Sequence, residues 1–134
     1  MKAERMLIDD YQAAVRRVVS ALRVGFGRDD LLPARGRREI PKDGVINGVE
    51  FSFHGVGCRA TVDGVEVDFD FGPNGRTDGF EAWRLWFFAQ QKPATYPQFQ
   101  RLEDVQAALE RLARSGEIEC PQLSPSEHLW YLKS

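Results

Sequence analysis

A chain of 134 residues with 43% hydrophobic and 28% charged side chains can bury a core of its own, which excludes general disorder and any need for disulfide or metal staples. Eighteen Lys and Arg stand against 20 Asp and Glu, a formal net charge of −2, so no overall positive field draws the chain to nucleic acid or anionic lipid. The longest apolar run, Leu85-Trp86-Phe87-Phe88-Ala89, falls far short of the ~20 residues that span a bilayer.

From Lys2 to Val24 the apolar residues Leu7, Tyr11, Ala14, Val15, Val18, Val19 and Leu22 recur at three- and four-residue steps, with Arg16, Arg17 and Arg23 off the stripe. That spacing predicts an amphipathic helix over 3–24. The opening Met1-Lys2-Ala3-Glu4-Arg5, followed by Asp9 and Asp10, offers no uninterrupted apolar stretch for a secretory signal, so a cytoplasmic location is expected. Residues 25–44 lose the period among Gly25, Gly27, Pro33, Gly36, Pro41 and Gly44 and read as a long loop of mixed charge, its middle pinned by Leu31-Leu32. Arg35, Arg37 and Arg38 lie there without interleaved aromatic rings, so the loop provides no stacking platform and no nucleic-acid partner is expected.

Beyond the loop the apolar period changes to two, the mark of half-buried strands. Val49, Phe51 and Phe53 share a face, as do Cys58, Ala60 and Val62, and Val65, Val67, Phe69 and Phe71. Asp63-Gly64 suits a two-residue type I′ turn and Gly55-Val56 a type II′ turn, giving a three-stranded antiparallel meander over 48–71. In a two-residue hairpin the sum of opposed residue numbers is constant. Val62 then faces Val65, Arg59 faces Asp68, Phe53 faces Cys58 and Ser52 faces Arg59. This register gathers the apolar residues on one side and leaves Glu50, Ser52, Arg59, Thr61, Glu66, Asp68 and Asp70 on the other; a slip of one residue would destroy the segregation.

Phe71 to Arg76, with Gly72-Pro73-Asn74-Gly75 at its centre, is turn chemistry. Asp78-Gly79-Phe80-Glu81 reads as a capping box that starts a helix over about 79–91, and Phe80, Trp83, Leu85, Trp86, Phe87 and Phe88 surround so much of that helix that burial between two elements is expected. After Pro93 and Pro97 a third helix is predicted over 102–115, with Val105, Ala108, Leu109 and Leu112 inward and Gly116 as its stop. Ile118-Glu119-Cys120 and His128 to Leu132 are candidate short strands, the second a candidate extension of the meander's edge. The fold expected is a single α+β domain over 1–134, with three helices packed on one face of the meander.

Cys58 and Cys120 are too few and too far apart for a disulfide framework or a zinc site and read as reduced thiols; no metal or other cofactor is expected. His54 with Cys58 invites a thiolate–base or metal-ligand reading, against which the register sends Cys58 into the core. Glu66, Asp68 and Asp70 project from alternate positions of one strand. They suit a metal, a solvated face with Arg59 paired to Asp68, or electrostatic steering of a basic partner, because residues 61–81 hold six acidic side chains against Arg76 alone. Arg76, Asp78 and Arg84 flank the predicted helix start, where an anion could sit, although the glycine pattern of a phosphate loop is absent. Should His54, Arg59, Asp70, Arg76 and Asp78 converge, with Arg84 beside them, a small enzyme or small-molecule-binding module is the alternative reading. Trp83 and Trp86 are then pocket walls, though such rings more often serve a core.

The runs His54-Gly55-Val56-Gly57-Cys58-Arg59 and Asp68-Phe69-Asp70-Phe71-Gly72-Pro73-Asn74-Gly75-Arg76-Thr77-Asp78-Gly79-Phe80-Glu81-Ala82-Trp83-Arg84-Leu85 resemble an uncharacterised bacterial domain family with HGxGCR and DFGPxGRxDGFDAWRL segments. Glu81 stands where that pattern has Asp, which preserves the carboxylate. The resemblance spans roughly residues 45 to 100 and implies the setting of predicted immunity proteins of polymorphic toxin systems. It carries over no catalytic residue. The function expected is therefore that of a binding protein, not an enzyme, which neutralises a cognate toxin, such as a nuclease with a basic cleft, through Glu66, Asp68, Asp70 and Asp78.

Overall fold

The computed structural model describes residues 3–26, 43–54, 57–70, 76–120 and 129–133. The centre of the predicted loop, the Gly55-Val56 turn, the Phe71 to Gly75 turn and His128 lie outside these residues. In chain order the elements are α1 (Ala3–Phe26), β1 (Asp43–Ile46), β2 (Val49–His54), β3 (Gly57–Val62), β4 (Val65–Asp70), α2 (Ala82–Gln90), α3 (Leu102–Arg114), β5 (Ile118–Glu119) and β6 (Tyr131–Leu132). They fall into two compact units, one of Gln12–Thr77 and one of Met1–Tyr11 with Asp78–Ser134, so that α1 is shared by both. No described helix is long and apolar enough to cross a membrane.

In the first unit the antiparallel sheet runs β1-β2-β3-β4. The expected pairings are all present: Val62 opposite Val65, Arg59 opposite Asp68, Phe53 opposite Cys58 and Ser52 opposite Arg59. Asp63 and Gly64 have φ of 52° and 76°, the left-handed pair that a type I′ turn demands. Most of the apolar face is buried: Val49, Phe51, Cys58, Ala60, Val62, Val67 and Phe69 are, as are Val15, Val18, Val19 and Leu22 of α1, while Phe53 and Val65 are half-buried. Each buried Val, Leu or Phe among them contributes about 1.5–3 kcal/mol by leaving water.

The meander has four strands rather than three. β1 occupies the end of the predicted loop and pairs with β2 from Asp43 opposite Ser52 to Ile46 opposite Val49. Asn47 and Gly48 turn the chain with φ of 51° and 78°, a second type I′ hairpin whose Asn-Gly signal stands in the sequence. Nor does the C-terminal strand extend this sheet: β6 pairs with β5, Ile118 opposite Leu132 and Glu119 opposite Tyr131. The cause lies one residue earlier, where Trp130 and Phe80 exchange both backbone hydrogen bonds at 2.9 Å.

That exchange also moves the start of α2. Phe80 spends its N–H and C=O on Trp130 and is extended, so the helix opens at Ala82 with Glu81 as its N-cap, three residues later than predicted, and the Glu81 side chain does no capping. Asp78 is left exposed upstream. α2 buries Arg84, Leu85, Phe88 and Ala89, while Trp83 is 37% exposed and Trp86 and Phe87 are half-buried, so the helix is not enclosed all round as its composition suggests. α3 begins where the Arg101 N–H donates to Asp104 at 3.0 Å and ends before Gly116, whose φ of 82° is the left-handed stop expected there.

The core of this second unit is aromatic. Phe88 meets Tyr11 edge to face with centroids 5.9 Å apart and lies 6.5 Å from Tyr96, which continues to Phe99. The Tyr96 hydroxyl donates to the Asp10 carboxylate, and burial together with that bond holds the phenol well above its ordinary pKa. Arg111 of α3 closes on Glu4 of α1 at 3.1 Å.

Candidate functional site

Opposed residues of an antiparallel ladder share a side, so the register writes out the polar face of the sheet in rows. Val45, Glu50, Thr61 and Glu66 form one row; Asp43, Ser52, Arg59 and Asp68 form the next; His54, Gly57 and Asp70 form the third. Five carboxylates thus share the face with one guanidinium. Asp43, Glu50 and Glu66 are exposed and Asp70 is half-buried.

Asp68 differs from the others. Its side chain is 0% exposed, an expensive place for a carboxylate unless cations and donors meet it. Arg59 Nε donates to Asp68 Oδ2 at 3.1 Å, and His54 Nε2 stands 3.4 Å from the same oxygen. Arg59 and His54 are about half exposed, so each keeps one end in water while the other is fixed by the buried acid. The reading that offers Asp68 directly to a partner therefore gives way to an indirect one: Asp68 holds two neighbours in place.

Gly57 makes the arrangement possible. It faces His54 across the hairpin, and a Cβ there would stand 2.9 Å from His54 Cε1 and 3.2 Å from the Phe69 carbonyl oxygen. The imidazole lies where a side chain would be. Gly57→Ala is accordingly expected to cost about 1–2 kcal/mol, by overpacking against backbone, and to shift the His54 ring resonances in a carbon–proton NMR spectrum. Unmoved His54 resonances would show that the ring does not depend on Gly57.

Cys58 projects to the opposite face from His54 and is 0% exposed, so the two form no thiol–imidazole pair. Burial pushes the Cys58 thiol up to about 12, with Asp68 adding to the rise and a backbone hydrogen bond at Ser52 opposing it. At neutral pH it is a protonated core side chain. Cys120 is also a free thiol. Among the described residues no three His, Cys, Asp or Glu side chains gather closely enough to hold a metal ion.

The remaining predicted residues are placed elsewhere. Arg76 is exposed just beyond the sheet, and Asp78 is exposed in the segment before α2. Arg84 is buried at 7% and is taken up by Glu81, while its Cζ lies 4.8 Å from the Trp83 ring centroid. The structure therefore brings His54, Arg59 and Asp68 together, with Glu66 and Asp70 in the adjoining rows. Asp43 joins the face unforeseen; the Asn47-Gly48 turn was the signal that could have found it.

A family model described as a domain of unknown function (DUF6896) matches residues 5–132, and the chain belongs to that family. Neither the curated proteins nor the solved structures provide a match.

Proposed function

We propose that this member of the DUF6896 family is a binding protein that neutralises a cognate bacterial toxin in the cytoplasm by seating the toxin's basic surface on the polar face of the sheet. One observation carries the reading: Asp43, Glu50, Glu66 and Asp70 share that face while Arg59, its only Lys or Arg among the described residues, is held by the buried Asp68, in a chain whose net charge is only −2. Carboxylates concentrated on one surface steer a basic partner and raise its rate of association. Strands hold them in fixed register, so little conformational entropy is lost on docking. The resemblance of the HGxGCR and DFGPNGR segments to predicted immunity proteins supplies the partner class, and an immunity protein needs no catalytic group.

The test is to recover the bound partner by pull-down from the host and to co-express it with Glu50→Lys/Glu66→Lys. Both residues are exposed, so the fold should survive, which circular dichroism verifies. Protection is expected to fail, with association weakened at least about tenfold and most strongly at low salt. Undiminished protection by a folded double variant would remove the sheet face from the interface.

A further inference from the structure

We propose that a groove in the second unit, lined by Glu81, Trp83, Leu102, Gln106, Glu110 and Trp130, receives an arginine or lysine side chain from a basic segment of a protein partner. The groove encloses about 480 Å³, room for one long side chain and the backbone beside it. It lies where the start of α2, one flank of α3 and the residue before β6 come together.

Two indoles and the Glu110 carboxylate in one depression select for a cation. An indole face carries the negative lobe of its quadrupole, which attracts guanidinium or ammonium groups, and a nearby carboxylate adds a full charge. Leu102 offers apolar surface to the methylene stem. The chain already uses this chemistry on itself: the Arg84 guanidinium lies 4.8 Å from the Trp83 centroid and is held by Glu81. Glu81 also accepts from Trp83 Nε1 at 3.0 Å, so its oxygens are engaged from within. Glu110, exposed on α3, is the carboxylate left to meet a newcomer. Trp83 is among the few large apolar side chains exposed in the described residues, at 37%, and a partner's side chain would cover it. The inference rests on the reading of the chain as a binder of a basic protein, but on other residues, so each can fail without the other.

The test titrates the full-length, nitrogen-15-labelled chain to millimolar concentrations of three capped peptides, Gly-Gly-Arg-Gly-Gly and its lysine and norleucine counterparts. The indole N–H resonances of Trp83 and Trp130 are followed. Trp86, whose Nε1 donates to the Gln100 carbonyl at 3.2 Å, serves as internal reference. The arginine and lysine peptides are expected to move Trp83 and Trp130 and to leave Trp86 in place, and norleucine to move none of them. Glu110→Gln should weaken binding about tenfold, a change of about 1.4 kcal/mol. Glu50→Lys/Glu66→Lys should bind the peptides as the parent does. Silent Trp83 and Trp130 resonances, an equal response to norleucine, or unaltered affinity in Glu110→Gln would overturn the groove. Peptide binding that persists while Glu50→Lys/Glu66→Lys still protects cells would overturn the sheet-face reading alone.

Discussion

Arg59→Ala is expected to lower the unfolding free energy by about 3 kcal/mol, because it takes the guanidinium from a carboxylate that solvent does not reach. Asp68 is fully buried and accepts from Arg59 Nε at 3.1 Å, while His54, at 3.4 Å, is the weaker neighbour of the same oxygen. The figure sits at the low end of the range for broken buried pairs because Arg59 is 46% exposed and is itself well solvated when the pair is lost. Asp68→Asn keeps the shape and removes the charge. In its background Arg59→Ala should cost at least about 1 kcal/mol less, since no buried charge is then abandoned. Urea unfolding of the four proteins measures the coupling directly. A loss below about 1 kcal/mol for Arg59→Ala, or a coupling near zero, would show that the pair does not sustain the burial of Asp68.

A second large effect is expected in the other unit, where Phe88→Ala should cost about 4 kcal/mol. The ring is 2% exposed and touches Tyr11 edge to face and Tyr96 at an angle, with the Lys92 ammonium 5.2 Å from its centroid. Truncation removes the transfer energy of the benzyl group and leaves a void that its two aromatic neighbours, Tyr11 and Tyr96, are too stiff to fill. For a chain of this size the midpoint of thermal unfolding should fall by roughly 12 °C, whereas Phe88→Leu should lower it by only about a third as much. Calorimetry decides, and equal shifts for alanine and leucine would mean that the Phe88 site collapses freely.

The sheet was the most legible part of the sequence because period-two alternation and an Asp-Gly turn together admit one register. From that register follow the opposition of Arg59 and Asp68 and the inward turn of Cys58. β1 escaped because it is four residues long and only Val45 and Ile46 are apolar, too little alternation to outweigh Asp43-Gly44, which looks like the end of a loop. The start of α2 was misread for a different reason. Asp78 and Glu81 have capping-box spacing, but Phe80 is held extended by Trp130, some fifty residues away in the chain, and no local pattern reveals such a pairing. Burial of Asp68 was equally hidden. Alternation assigns a residue to a face, but whether its neighbours' side chains fold over it depends on their rotamers and on room such as Gly57 leaves for His54.

The division of α1 between the two units bears on the order in which a ribosome delivers the chain. Gln12–Thr77 is one continuous stretch whose hairpins join neighbours in sequence, so it can begin to fold while later residues are still being synthesised. The second unit has no such option. Its earlier piece, through Tyr11, leaves the ribosome before Gln12–Thr77, but its partners Tyr96 and Arg111 follow much later, and Glu4 and Asp10 must wait for them. Synthesis therefore completes the continuous stretch first and joins the distant segments of the second unit afterwards, which makes the acidic sheet the earlier product and the tryptophan groove the later one.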